Sequence, residues 1–310
     1  MKNTTYKKKQ GERQVQLIEQ GAEIFSGAMN RGLASWKEID GRIKQAESRV
    51  VLRGEDREKN LYGPIREDVI QYVNKSHISW WHMAGESNKE VTAHTLSSQV
   101  CCFNHLFMIR NDEEAIKAIL RNAAGITFDE ILPSFIEDNT LISFEFVFDN
   151  KRLLNERHET RGEKCTSVDA LVYAQKDSEK WLVPIEWKYT EAYEKKDAPS
   201  YHRYENLVSV DSRLPLWLSL YHQDPYYELA RQTLLMEKII EKHPDIAKKF
   251  CHIVIVPKEN TEMKVDAEKF GFSLKQEFIN GYKIIDPSDF LLPVKDLYPE
   301  LIEYLESRYW

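Results

Sequence analysis

Two rhythms of apolar residues divide the chain. As far as residue 125 they recur at helical spacing, and from residue 141 onward they mostly alternate. In "RQVQLIEQGAEIFSGAM" the near-helical spacing of Val15, Ile18, Ala22 and Phe25 predicts one or two surface helices behind a frayed basic tip, "YKKKQ". "GPIREDVIQYVNKSH" (63–77) carries the stripe Ile65, Val69, Ile70, Val73, with Pro64 where a first helical turn tolerates it. A longer helix is expected through "EVTAHTLSSQVCCFNHLFMIR" (90–110). Another is expected through "DEEAIKAILRNAAG" (112–125), capped by Asn111 or Asp112 and stopped at Gly125.

Period two then takes over. "LISFEFVFDN" (141–150) sets Ile142, Phe144, Phe146 and Phe148 on one face and Ser143, Glu145 and Asp149 on the other, the pattern of a half-buried strand. "SVDALVYAQ" (167–175) and "WLVPIEWKYTE" (181–191), joined by the polar "KDSEK", predict an antiparallel hairpin. "DPYYELARQTLLMEKIIEKHP" (224–244) reads as a helix capped by Asp224, and the wholly apolar "CHIVIVP" (251–257) as a strand covered on both faces. "GYKIID" adds a short strand and "YPELIEYLESRYW" a terminal helix. The order predicts an α/β fold with a mixed central sheet flanked by helices. Residues 1–89 form an N-terminal helical extension on a main domain of residues 90–310.

Composition narrows the function. An apolar share of 42% is ample for a core, and no apolar run approaches the roughly 20 residues of a membrane span. No apolar stretch follows the basic amino terminus, so the expected location is cytoplasmic. The four cysteines show no CxxC pair and the nine histidines no ligand spacing, which argues against a zinc site. A net charge of −7 argues against a protein that coats nucleic acid, and the absence of GxxxxGK[ST] removes ATP-driven translocation.

The remaining candidate chemistry lies in "VPIEWKYTE" (183–191). Alternation sends Ile185, Trp187 and Tyr189 to one face and Glu186 and Lys188 to the other, while Asp169 interrupts the preceding strand. If the strands pair through "KDSEK", Asp169 and Glu186 lie side by side with Lys188 next to them. Two convergent carboxylates suit Mg2+, a hard cation that keeps several waters for a phosphate, and the Trp187 carbonyl is a natural further ligand. Such an ion lowers the pKa of a bound water and neutralises charge at phosphorus, while Lys188 positions that water. An isolated ExK is more often a surface ion pair, but a charged cluster in a covered sheet needs a metal, a ligand or a pairing network. Pro184 lacks a ladder donor and so should sit at a strand start, an edge or a bulge, and a bulge there would help aim Glu186.

Asp169 followed by Glu186-Trp187-Lys188 resembles the PD-(D/E)XK nuclease superfamily. "SSQVCCFNHLF", "RGEKCTSVDALVYA", "PIEWKYTE", "YHRYENL" and "ARQTLLMEKI" extend the likeness to a bacterial branch of restriction-endonuclease-like proteins over residues 90–257. Val168 stands where the motif name has Pro. The resemblance implies a restriction-endonuclease-like three-layer core and a magnesium-dependent deoxyribonuclease, with Mn2+ as a substitute ion, in restriction or defence. Asp169 and Glu186 would hold the metal and Lys188 would be the catalytic lysine. It also draws in Gln99 and Gln232, with Glu145 and Glu191 as outer ligands, and a homodimer that cuts both strands. The alternative is a catalytically silent nucleic-acid-binding or scaffold protein that keeps the fold.

Two basic segments flank the carboxylates. "NKRLLNERHETRGEK" offers Arg157, Arg161 and Lys164 to phosphates, and "EKKDAPSYHRYENL" offers Lys195 and Arg203, with Tyr201 and Tyr204 to stack on bases. The partner these imply is DNA, with RNA as the competing substrate and no membrane.

Overall fold

The computed structural model describes residues 2, 4–198, 201–215 and 218–310. Its contacts divide the chain into two compact units. A sheet unit comprises Met1–Lys2 and Ile109–Lys295, and a terminal unit comprises Asn3–Met108 and Asp296–Trp310. By contacts the division falls at Ile109, and the last helix joins the amino-terminal residues in one unit.

In chain order the terminal unit begins with α1 (Thr5–Glu19), the hairpin β1 (Asn30–Lys37) and β2 (Ile43–Leu52), α2 (Arg66–Lys75) and α3 (Ser98–Leu106). The basic tip is helical, not frayed, because the Thr4 hydroxyl accepts the Lys7 N–H at 3.1 Å and caps α1. The expected second surface helix is instead the hairpin, whose strands pair antiparallel from Gly32↔Ser48 to Lys37↔Ile43. The helix expected over 90–110 is shortened at its front. Residues 93–95 instead bridge to β2 at His94, with Leu52 N–H to Ala93 O at 2.9 Å and Thr95 N–H to Val50 O at 3.0 Å, before Ser97 caps α3. Ile18, Phe25, Val51, Leu52, Met83 and Ala93 form a core here.

The sheet unit continues with α4 (Glu113–Ala124), β3 (Glu130–Leu132), β4 (Ile142–Phe146), α5 (Asn150–Leu153), β5 (Val168–Lys176) and β6 (Glu179–Trp187). After α6 (His202–Glu205) come α7 (Tyr226–Lys242), β7 (Lys249–Phe250), β8 (His252–Ile255), α8 (Thr261–Ser273), β9 (Tyr282–Ile285) and α9 (Pro287–Leu291). The carboxyl-terminal α10 (Pro299–Arg308) returns to the terminal unit. Asp112 caps α4 and Gly125 ends it in the left-handed region, as the sequence predicts. Asp224 does not cap α7, since Pro225 occupies that position.

The sheet runs β3-β5-β6-β8-β9, with β4 also on β5 and β7 also on β6. Its first half is antiparallel and its second half, β6-β8-β9, is parallel, with α7 and α8 as the crossovers. This is the mixed, helix-flanked α/β sheet the sequence predicts. All five residues of β4 are buried, so the strand is covered on both faces rather than one. The core joins Phe146, Val168 and Leu171 of the sheet to Leu229, Leu234, Leu235 and Ile239 of α7.

No bulge forms at Pro184, which pairs in unbroken register with Leu171. Leu182 O accepts from Cys251 N–H at 3.0 Å and Lys188 N–H donates to Ile255 O at 2.9 Å, so residues of this parity face the parallel neighbour. The missing donor of Pro184 thus falls at the seam between β7 and β8, where the ladder is already interrupted.

In the terminal unit the wholly buried Arg308 on α10 donates to Asn60 O at 2.7 Å, Asn60 Oδ1 at 2.5 Å, Tyr304 Oη at 2.6 Å and Gln14 Oε1 at 3.2 Å. Its guanidinium also lies 4.5 Å from the centre of the Phe25 ring.

Candidate active site

Register places three carboxylates in one row across the sheet. β4 pairs with β5 as Phe144↔Ala170 and Phe146↔Val168, which sets Glu145 opposite Asp169. β5 pairs with β6 from Ala170↔Ile185, which sets Asp169 opposite Glu186. Residues opposed in this way share a face and stand about 5 Å apart. Backbone conformation sharpens the row at both ends. Glu145 has φ +48°, which interrupts its ladder, and Asp169 Oδ2 accepts the Trp187 N–H at 2.6 Å where β5 would otherwise pair. The carboxylate thus replaces a main-chain acceptor at the end of β6.

Lys188, next on that face, is buried with its ammonium between two carboxylates. Its Nζ lies 2.6 Å from Glu186 Oε1, donates to Glu228 Oε2 on α7 and reaches the Tyr193 hydroxyl at 3.2 Å. Gln232, one helical turn beyond Glu228, donates its amide to Glu186 Oε2 at 2.6 Å and to Ser167 O at 2.8 Å. Both partners are acceptors, which fixes the amide's orientation. The Gln232 Oε1 is buried without a hydrogen-bond partner.

Burial dominates the electrostatics. It pushes Glu186 up to about 7 against the pull of Lys188. Asp169 is raised well above the usual carboxylate range by burial first, then by Glu186 and Glu145. Burial works against the charge of Lys188 too, but Glu186 and Glu228 outweigh it and hold the ammonium above its ordinary value. Burial also opposes the charge of Glu228, yet Lys188 draws its carboxyl below the ordinary range. Another buried carboxylate, Glu156, is spent differently. It accepts from Asn150 at 2.8 Å, Thr166 N–H at 2.9 Å and Tyr204 at 2.7 Å, and so ties the loop between β4 and β5 to α6.

The donor set suits a hard cation: Asp169, Glu186 and the Trp187 carbonyl are all oxygens. Among the described residues no group of three or more His, Cys, Asp or Glu side chains is arranged to hold a metal ion. A cation here would therefore rest on two carboxylates, the carbonyl and water, which is the sparse protein coordination that Mg2+ favours.

Of the outer candidates, Gln232 joins the cluster and Glu145 joins the row. Glu191 turns aside, its carboxylate accepting the Tyr189 N–H at 2.6 Å. Gln99 belongs to the terminal unit, where its amide accepts from Trp81 N–H at 2.7 Å and donates to Ser79 O at 3.0 Å. Glu228 and Tyr193 escaped the sequence reading. The signal for Glu228 was its spacing of four from Gln232, which aligns both side chains on one helical face.

The basic candidates differ from one another. Arg161 is turned inward: it donates to Glu137, to Phe144 O and, at 3.1 Å, to Glu145 O, so it braces the strand beside the carboxylate row. Lys195 pairs with Asp266 at 2.6 Å and lies over the Tyr226 ring. Arg203 is half-buried, Tyr204 is buried, and Tyr201 stacks on His222 at 3.6 Å. Pro199 and Ser200 of that segment lie outside the described residues. Arg157 and Lys164 are exposed, the latter paired with Glu163 at 2.7 Å.

No helix of the described residues is long and apolar enough to cross a membrane. Residues 30–310 match the model of a family described as restriction endonuclease associating with ARP. No curated protein and no solved structure matches the chain.

Proposed function

The chain belongs to this restriction-endonuclease family, and from that footing we propose that it is a metal-dependent nuclease hydrolysing phosphodiester bonds in DNA. The observation that carries the reading is the convergence of Asp169, Glu186 and Lys188 on adjacent strands of a covered sheet. Asp169, Glu186 and the Trp187 carbonyl would hold Mg2+, with Mn2+ as a substitute. When bound, the ion supplies Lewis acidity at the phosphate and a more acidic attacking water. Gln232 fixes the Glu186 carboxylate, and Lys188 orients the attacking water and offsets negative charge as it builds on the phosphate. The covering helix α7 restricts water around these groups and so strengthens each interaction.

The test is cleavage of supercoiled plasmid in Mg2+ or Mn2+, beside an RNA substrate. Asp169→Ala, Glu186→Gln and Lys188→Ala are each expected to lower the rate by about 10²- to 10³-fold while leaving the fold intact by circular dichroism. Undiminished cleavage by all three variants sinks the proposal. Linearised rather than nicked product would fit two copies acting together, one on each strand.

One observation favours a second reading, a silent nucleic-acid-binding protein. Both oxygens of Glu186 already have partners, Lys188 and Gln232. Salt-dependent DNA binding with no cleavage in either ion would select that reading.

A further inference from the structure

Glu186 can accept a cation only if Lys188 gives up its Oε1. The ammonium is buried, and a buried ammonium left without a counter-charge is costly. A second carboxylate already touches it: Glu228, on a different element, with about 29% of its side chain exposed against 3% for Glu186. The Tyr193 hydroxyl completes the seat at 3.2 Å. Lys188 therefore has two anionic partners, one in the carboxylate row and one outside it.

We infer that Glu228 is a positioning residue that takes over the charge of Lys188 when a divalent cation occupies Asp169 and Glu186. This rests on the metal-site reading above and adds a residue to it. The handover moves no proton: the lysine stays cationic throughout, loosens its contact with Glu186 Oε1 and keeps its contact with Glu228 Oε2. The freed oxygen becomes available to the cation while Gln232 continues to hold Oε2. Two features of the cluster agree with this role. Glu228 and Gln232 project from the same face of α7 one turn apart, so one rigid element holds both Lys188 and Glu186. Glu228 is also the more exposed of the two carboxylates, so holding the ammonium there costs less desolvation than in the row itself.

The test is Mn2+ binding to the full chain by titration calorimetry, arranged as a double-mutant cycle with Lys188→Ala. Glu228→Gln is expected to weaken Mn2+ binding about tenfold or more, since Lys188 then has Glu186 as its only carboxylate and competes for it. Glu228→Asp, which keeps the charge, should restore most of the affinity. In the Lys188→Ala background, Glu228→Gln should change the affinity by less than about twofold, because there is no ammonium to hand over. Equal weakening in both backgrounds overturns the inference and leaves Glu228 a general electrostatic contributor. Wild-type affinity in Glu228→Gln also overturns it. If the wild type binds no Mn2+, or binds it unaffected by Asp169→Ala, the metal-site reading itself has failed. Should Glu228→Gln not fold, the same cycle run with Glu228→Ala, which also removes the charge, reads the same coupling.

Discussion

Each unit buries a cation, and the two are satisfied in opposite ways. Arg308 in the terminal unit is met by the neutral oxygens of Asn60, Gln14 and Tyr304 and by the Phe25 ring. Lys188 in the sheet unit is met by two carboxylates, with a third and fourth, Asp169 and Glu145, in the adjoining row. A guanidinium has donors enough to knit several neutral acceptors together, and its role ends with the fold. Around Lys188 burial raises Glu186 and Asp169, so the carboxylates beside the ammonium hold their protons more tightly than ordinary ones, and only Glu228 is drawn down by it. Perturbed carboxylates gathered on one face are what the proposed cation site would draw on.

The sharpest way to break this contrast is to remove each cation. Arg308→Met should lower stability by about 3 kcal/mol or more, read from urea denaturation, since it leaves several buried acceptors unpaired. Its cleavage rate per folded molecule should stay near wild type. Lys188→Ala should also cost stability, because it leaves Glu228 without its counter-charge, but unlike Arg308→Met it should abolish nearly all cleavage per folded molecule. If both substitutions act on stability alone, the two sites are alike and the contrast falls.

The next effect is in pH. Glu186 titrates near its ordinary 4.5 when unfolded and at about 7 when folded. Between these values the folded protein binds the extra proton, so this contribution to stability is full below 4.5 and is lost as the pH rises through 7. The buried His252, pushed down to about 3, acts in the opposite sense and completes its gain by pH 6.5. Stability measured in chelator, wild type minus Glu186→Gln, should therefore fall from pH 5 to 8, and added Mn2+ should offset the fall at the alkaline end. A flat difference would show that Glu186 titrates as an ordinary carboxylate.

The smallest effect separates the basic residues. Arg157→Ala should flatten the log–log salt dependence of DNA binding by about one unit. Arg161→Ala should leave that slope unchanged and lower stability, because its guanidinium is bonded to Glu137 and to the main chain of β4. Equal slopes for both variants would place the phosphate contacts elsewhere.

The sheet and its acidic pair were legible because their signals are local. Val168–Lys176 and Glu179–Trp187 are largely apolar runs around a two-residue turn, and Asp169, Glu186 and Lys188 stand out in and beside them as charges. The hairpin of residues 30–52 was not legible. Leu33 and Trp36 fall on opposite faces, most of β2 is exposed, and no alternation survives to report a strand. Arg161 read as a phosphate ligand because composition cannot tell an arginine aimed at solvent from one bonded to carbonyls 16 and 17 residues upstream. Glu228 was hidden for a related reason: a glutamate in the first turn of an amphipathic helix is ordinarily solvated, and only the strand beneath it shows otherwise.

Glu145 stands in the left-handed region, where a non-glycine residue carries roughly 1–3 kcal/mol of strain. Arg161 clamps the carbonyls on both sides of that kink. On backbone grounds Gly, Asn or Asp would hold the kink at less strain than Glu, whereas Val, Ile or Thr would favour a straight strand and break the row. Gly would relieve the strain and remove the charge together, so a lineage that had lost its chemistry would be expected to drift to glycine here first.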